Sequence, residues 1–190
     1  GSLLGSLLPG CGCASLDLSH NGLTAIPCAQ TMGEIAAGVE VAMLVSEGNK
    51  FDETRLASTL SRFAGLTSLS VTAAHLAMSA ASPLGAWLSS VKSLRELDLS
   101  TNRLADDAAP ALAAALANGN LREMRLSRNH LGPAAGEALA GALCINANLE
   151  LLDLSHNSLG RGARALAAAM PAATALRALG LAANALGPAE

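Results

Sequence analysis

The four histidines of this 190-residue chain are the first candidates for metal binding or proton transfer, the tasks that imidazole most often performs. His20 and His156 each stand in the same tetrapeptide, Leu-Ser-His-Asn, and His75 and His130 each precede a leucine. The two tetrapeptides belong to copies of a repeated motif that lie five copies apart. If each copy formed one strand of a parallel sheet, His20 and His156 would be at least roughly 24 Å apart, which is too far for one metal ion to bind both. We therefore expect four surface histidines and no metal ligands.

Serine and cysteine give no better catalytic set. Serine recurs at one place of a repeated motif, at Ser19, Ser100, Ser127 and Ser155. No serine or cysteine has a histidine and an acid in the register that a nucleophilic site requires. Cys11 and Cys13 lack the two paired spacings of a zinc site. The sequence therefore predicts a non-enzymatic protein with no catalytic residue, no metal and no cofactor.

The adjacent carboxylates of Asp106 and Asp107 have a structural explanation. They precede the alanine-rich segment 111–117, and alanine has the highest helix propensity. Negative charge stabilises the first turn of a helix. Helix capping is therefore the prediction for this pair, rather than acid–base catalysis.

The elements that carry these residues follow one pattern, Leu-x-x-Leu-x-Leu-x-x-Asn-x-Leu. Its clearest copy consists of Leu94, Leu97, Leu99, Asn102 and Leu104. The copies begin at positions 13, 41, 66, 94, 121, 149 and 176, so successive copies are 25 to 28 residues apart. A fixed period of this length indicates a solenoid of stacked repeats.

Each copy predicts one strand followed by one helix. Apolar residues at repeat positions 4 and 6 alternate with polar ones, as in a strand with one buried face. Between copies, apolar residues recur four positions apart, as in a helix, at Leu56/Leu60, Leu84/Leu88, Leu112/Leu116, Leu139/Leu143 and Leu166/Met170. The position-9 asparagine is expected to bind backbone groups of the turn, because its amide both donates and accepts. Ala74 replaces it in the third copy, which predicts a looser turn there.

This strand-plus-helix repeat resembles the ribonuclease-inhibitor-like class of leucine-rich repeats. The resemblance implies an α/β leucine-rich-repeat solenoid of about seven repeats, with a curved parallel sheet on the concave side and helices on the convex side. It covers residues 1–190 as a single domain. Leu4 and Leu8 precede Cys13 as Leu112 and Leu116 precede Leu121. We therefore expect a segment of a longer array.

Composition limits the partners and the compartment. The net charge of −3 and the pI of about 5.8 give no general attraction to nucleic acid or acidic lipid. Residues 63–91 contain no charged side chain but remain in repeat register, so membrane insertion is not expected. The four cysteines do not form a disulfide framework. This predicts an intracellular, cytoplasmic protein.

The sheet face without helices carries the candidate binding residues, and its charge is concentrated in the fourth to sixth copies. The predicted partner-binding set is Arg95, Glu96, Asp98, Arg122, Glu123, Arg125, Arg128, Asp153 and His156. One interpretation is a solvated ladder in which Arg125 neutralises Asp98 and Asp153 on the adjacent strands.

The second interpretation is a partner surface. The sequence places Arg95 beside Arg122, and Glu96 beside Glu123, which a self-neutralising ladder would avoid. The arginines at this face could bind a carboxylate or a phosphate. The two interpretations remain open on the sequence alone.

The sequence therefore predicts a scaffold that binds a protein partner through its concave face. The stretch Ser-Leu-Asp-Leu-Ser-His-Asn-Gly-Leu at 15–23, followed by Gly-Asn-Lys-Phe at 48–51, resembles the CARMIL family. That resemblance implies an actin-cytoskeleton regulator. One alternative is GTPase activation, as in the RanGAP relatives of this fold, for which Arg55 or Arg103 would be the presented arginine. Another is a purely architectural component of a large assembly, packed through its alanine-rich helices.

Overall fold

The computed structural model describes residues 15–17, 19–20, 43–45, 47–49, 53–61, 63, 65–79 and 81–187. Both chain ends and the Cys11–Cys13 pair lie outside this part. Parts of the first two motif copies also lie outside it, namely Cys13, Leu18, Asn21, Leu23, Val41, Ser46 and Phe51.

Short strands alternate with helices along the described residues. The strands are β1 Ser15–Asp17, β2 Met43–Val45, β3 Ser68–Ser70, β4 Glu96–Asp98, β5 Glu123–Arg125, β6 Leu151–Asp153 and β7 Ala178–Gly180. The helices are α1 Glu53–Leu60, α2 Pro83–Ser90, α3 Ala109–Ala117, α4 Pro133–Leu143 and α5 Gly162–Ala169, and a 3-10 turn at Asp106–Ala108 precedes α3. Proline occupies the first turn of α2, α3 and α4, where its missing N–H costs no hydrogen bond.

The strands form one parallel sheet in chain order, and each helix packs against its neighbours in the same order. The middle residues of β3 to β6 point into the core, and Leu69, Leu97, Met124 and Leu152 are buried. The predicted helix pairs face these residues from the other side, and all of them are buried except Met170, which is half-buried. Among the described residues, the repeat pattern thus predicted the strands, the helices and the buried face correctly.

The asparagine at position 9 of each inner repeat joins two consecutive turns. Asn129 accepts the N–H of Leu104 in the preceding repeat at 3.0 Å. Its amide donates to the carbonyls of Leu99 and Leu126, each at 3.0 Å. Asn102, Asn157 and Asn184 bond in the same way. The predicted role of these side chains is confirmed, and each one serves the preceding turn as well as its own.

The turn at Ala74 is closed by the following repeat. The backbone N–H groups of Ala74 and Leu76 both donate to Oδ1 of Asn102, each at 3.0 Å. Asn102 also donates to the carbonyl of Val71 at 2.7 Å. These N–H and carbonyl groups therefore have hydrogen-bond partners without an asparagine at position 74. The looser turn predicted at Ala74 concerns motion, and hydrogen exchange at this turn would test it.

A second set of asparagines holds the C-terminal ends of the helices. Asn118, which follows α3, donates to the carbonyls of Ser89 and Val91 at the end of α2, both at 3.1 Å. Asn146, which follows α4, donates to the carbonyl of Leu116 in α3 at 2.9 Å. Carbonyls of the last helical turn have no partner within their own helix. Here the next repeat supplies one.

Asp106 caps a helix, as expected, but the helix belongs to the next repeat. Its carboxylate accepts the N–H of Gly132 at 2.7 Å and that of Ala135 at 3.0 Å, both at the start of α4. Gly132 leaves the necessary room, because a Cβ there would lie 2.6 Å from Oδ2 of Asp106. Asp106 therefore stabilises the interface between two repeats as well as the end of a helix.

Replacing Asp106 with alanine should lower the free energy of unfolding by about 1–2 kcal/mol, because α4 loses its N-terminal hydrogen-bond acceptor. Asp107 is the matched control, since it is adjacent, carries the same charge and is exposed. Asp107→Ala should change the stability by less than about 0.5 kcal/mol. Urea denaturation followed by circular dichroism measures both, and equal losses would contradict the capping role.

Candidate interaction surface

The sheet face opposite the helices is built from the first and third residues of each strand, because the middle residue points into the core. The parallel register aligns them in two rows. In β4–β7 the first row consists of Glu96, Glu123, Leu151 and Ala178, and the second of Asp98, Arg125, Asp153 and Gly180. We call these residues the open strand face.

Arg125 makes its ion pair along its own strand. Its Nη2 lies 2.6 Å from Oε2 of Glu123, two residues earlier on β5. Asp98 and Asp153 each accept, at 2.9 Å, the backbone N–H of the serine two residues further along the chain. Arg125 lies between Asp98 and Asp153 in the sheet, as the ladder interpretation requires, but its ion pair among the described residues is with Glu123. Both aspartates bind the turns that end their strands.

The same aspartate turn occurs in β1 and affects an ionisation equilibrium. The Ser19 backbone N–H donates to Oδ1 of Asp17 at 2.9 Å. Hydrogen bonds from the Ser19 side chain and then from its backbone N–H lower the pKa of Asp17 below its usual value, because they favour the charged carboxylate.

The two glutamates that the sequence places side by side have separate partners. The Ser68 hydroxyl donates to Oε2 of Glu96 at 2.9 Å, whereas Glu123 pairs with Arg125. Arg95 and Arg122, also predicted to be neighbours, are exposed, and neither forms an ion pair with any residue that the structure describes. The like charges on this face are thus only partly neutralised within the described part of the chain.

A shallow hollow of about 370 Å³ lies at the C-terminal side of the open strand face. Arg125 and Asp153 provide its polar wall, and Leu151 and Ala178 contribute apolar surface. Gly180 also lines the hollow. The absence of a side chain there is required, because a Cβ would collide with the Asp153 carboxylate and lie 2.8 Å from the Ser155 hydroxyl. The hollow therefore presents a carboxylate, an arginine and apolar surface together.

The structure places the predicted site residues in three groups. Glu96, Asp98, Glu123, Arg125 and Asp153 belong to the open strand face. Arg95 and Arg122 lie where the chain enters β4 and β5, and Arg128 and His156 lie in the loops that leave β5 and β6. The set is therefore one surface with a centre and two edges.

Sequence reasoning missed several residues of this surface. Leu151 and Gly180 line the hollow, but as apolar residues they gave no chemical signal. Arg103 and His130 lie beside Arg128 at the ends of the strands, two positions after the left-handed residue of each loop. The repeat alignment could have found these residues, because it places Arg103, His130 and Ser158 at the same repeat position, two residues after the column formed by Thr101, Arg128 and His156.

The other predicted residues are located as follows. All four histidines are exposed, which confirms the surface assignment. Among the described residues, no group of three or more His, Cys, Asp or Glu side chains is arranged to hold a metal ion. Within the same residues, no helix combines the length and the apolar character needed to cross a membrane.

Comparisons with known proteins identify the repeat. One sequence-family model, described as Leucine Rich repeat, matches residues 92–113 and 117–140, and a second, described as Leucine Rich Repeat, matches residues 148–167. A search of curated proteins gives no match. Among solved structures, an internalin (inlF) from Listeria monocytogenes is similar, with a TM-score of 0.57 and 18% sequence identity.

The internalin alignment covers 88% of this chain and 47% of the internalin chain, so this chain spans about half the length of that relative. At this identity the likeness concerns the fold alone. Proteins with such repeats generally mediate protein–protein interaction. Taken with the parallel sheet and the buried leucine pattern, these matches make the fold an α/β leucine-rich-repeat solenoid.

Proposed function

We propose that this protein is a non-enzymatic scaffold that binds a protein partner through the open strand face. The observation that carries the proposal is the hollow beside the Arg125–Glu123 ion pair, where apolar surface from Leu151 adjoins charged side chains. A centre of this mixed character, with arginine present, is typical of protein interfaces. The Arg125 side chain is 38% exposed, so its guanidinium remains accessible to a partner.

Charge reversal tests this proposal once a partner is isolated with the full chain. Arg125→Glu removes the ion pair with Glu123 and places two carboxylates together at the centre of the face. We expect at least tenfold weaker binding by calorimetry, since truncating or reversing an interfacial arginine commonly costs more than about 1.4 kcal/mol.

The control is Arg164→Glu, which makes the same charge change at an exposed position on α5. It should leave the affinity within twofold. Unchanged binding by Arg125→Glu would contradict the proposal. Loss of binding in Ala134→Trp or Ala167→Trp, two exposed helix positions, would favour the architectural alternative instead.

The more specific proposals rest on the sequence. The resemblance of residues 15–23 and 48–51 to CARMIL supports a partner in the actin cytoskeleton, which co-sedimentation with actin filaments would test. For the GTPase-activating alternative, Arg103 is exposed, but its loop has the same backbone hydrogen bond as the loops of His130 and Ser158, so its backbone does not set it apart. The helices of 8 to 11 residues that follow β2 to β6 support the ribonuclease-inhibitor-like subclass.

Compartment and domain organisation are also proposals. Cys144 is a free, exposed thiol, which supports an intracellular, cytoplasmic setting. The recurrence of the same motif from position 13 to position 176 supports one solenoid domain over residues 1–190.

A further inference from the structure

The loops that leave β4, β5 and β6 present a row of polar side chains beside the open strand face. We call this the strand-end rim and define it as Thr101, Arg103, Arg128, His130, His156 and Ser158. All six residues are exposed. Two of them, Arg103 and Arg128, carry permanent positive charge, and the two histidines each provide a ring N–H.

The backbone holds the first column of the rim, which consists of Thr101, Arg128 and His156, in place. Thr101, Arg128 and His156 adopt left-handed conformations, with φ of 58°, 55° and 56°. Thr101 donates its N–H to the Ser127 carbonyl at 2.8 Å, and Arg128 donates to the Ser155 carbonyl at 2.9 Å. Adjacent loops therefore remain about 5 Å apart, the spacing of paired strands.

The second column is anchored in the opposite direction. The N–H groups of Arg103 and His130 donate to the carbonyls of Leu76 and Leu104 in the preceding loops, each at 2.8 Å. Ser158 continues the series with the Leu131 carbonyl at 2.8 Å. Backbone hydrogen bonds thus hold the main chain of both columns, and the side chains can change rotamer to meet a partner.

The first two repeats provide an internal example of what the rim lacks. His20 occupies the same backbone position as Arg128, and its N–H donates to the Glu47 carbonyl at 2.8 Å. The Glu47 carboxylate reaches back, and its Oε2 lies 3.6 Å from Nε2 of His20. In the rim, the residues that correspond to Glu47 are Ser127, Ser155 and Ala182. Within the described residues, Arg103 and Arg128 form no ion pair.

We propose that the strand-end rim binds an acidic segment of a protein partner, whose carboxylates take the place that Glu47 has beside His20. This rests on the proposed function and specifies the chemistry of the partner. Arginine and histidine N–H groups form charge-assisted hydrogen bonds to carboxylates. The carboxylates of Asp98 and Asp153 on the adjacent face repel a polyanion that extends beyond the rim, which favours a short acidic peptide over nucleic acid.

The test uses a fluorescein-labelled peptide of eight glutamates as the probe, with the full chain and fluorescence anisotropy at low salt. The double variant Arg103→Glu/Arg128→Glu should bind at least tenfold more weakly than the original protein, because both fixed charges of the rim are reversed. The double variant Lys92→Glu/Arg164→Glu makes the same change in net charge at exposed positions outside the rim. Its affinity should stay within twofold.

Several outcomes would overturn the inference. They are equal binding of the glutamate peptide by both double variants, equal binding of a glutamine octapeptide, and tighter binding of a phosphoserine peptide or a DNA octamer. Arg125→Glu separates the two proposals. If it abolishes binding of the isolated partner while the rim variant leaves that binding unchanged, the open strand face stands as the interface and the rim inference fails.

Discussion

Replacing Asn129 with alanine should lower the free energy of unfolding by about 3 kcal/mol. The side chain is buried and holds the Leu104 N–H, which has no other partner in the turn. Its two main acceptor carbonyls, of Leu99 and Leu126, are shared with Asn102 and Asn157 and keep one hydrogen bond each. The loss therefore combines one unpaired buried donor, two weakened acceptors and a small cavity.

Asn120 is the matched control, because its exposed amide makes one hydrogen bond, to the Lys92 carbonyl at 2.9 Å. Asn120→Ala should cost less than about 1 kcal/mol. Urea denaturation gives the totals, and amide exchange at Leu104 gives a local measure, since repeat arrays can open in parts. Equal midpoints for the two variants, or unchanged exchange at Leu104, would refute the assigned role.

Gly136→Ala should destabilise the protein by about 2 kcal/mol, even though alanine ordinarily stabilises a helix relative to glycine. Gly136 lies in α4 where α5 approaches closely. A Cβ there would lie 2.8 Å from the carbonyl carbon of Gly162 and 3.0 Å from its Cα. Both contacts are with backbone atoms, so the two helices must separate to admit the methyl group.

Gly141, in the same helix, supplies the opposite case. A Cβ at this position meets nothing within 4 Å, and the residue is exposed. Gly141→Ala should therefore raise the stability by about 0.5–1 kcal/mol. Thermal denaturation of the two variants under the same conditions should give shifts of opposite sign. Stabilisation by both substitutions would show that α4 and α5 are not in close contact at Gly136.

The repeat period was sufficient to predict the solenoid because burial imposes it. Leu97, Leu126 and Leu152 must all reach the core, and that requirement is visible as a spacing in the sequence. The partner of Arg125 was not visible in this way. Arg125 pairs with Glu123 on its own strand, and strand register alone does not distinguish this partner from Asp98 and Asp153 on the adjacent strands. The recurrent Asp-Leu-Ser of 17–19, 98–100 and 153–155 was a usable signal for the turns that the aspartates bind.

Contacts between repeats were the least predictable part of the structure. Asp106 lies beside a helical segment in the sequence, yet it caps α4, whose first residues come 26 to 29 positions later. The candidate surface was predicted at the level of rows, since strand register follows from the repeat. Its hollow depends on the missing side chain of Gly180, which only a three-dimensional arrangement reveals.

Because the turns of the inner repeats take a hydrogen-bond partner from an asparagine in the next repeat, they can form completely only after that repeat has been synthesised. The buried Leu104 amide receives its partner only with Asn129, 25 residues later, and the Leu131 amide only with Asn157, 26 residues later. At ribosomal rates of about 5–20 residues per second, these delays amount to roughly one to five seconds. Each of these turns therefore leaves the ribosomal exit tunnel with a buried N–H group unpaired, and this group gains its hydrogen bond only after the next repeat has emerged.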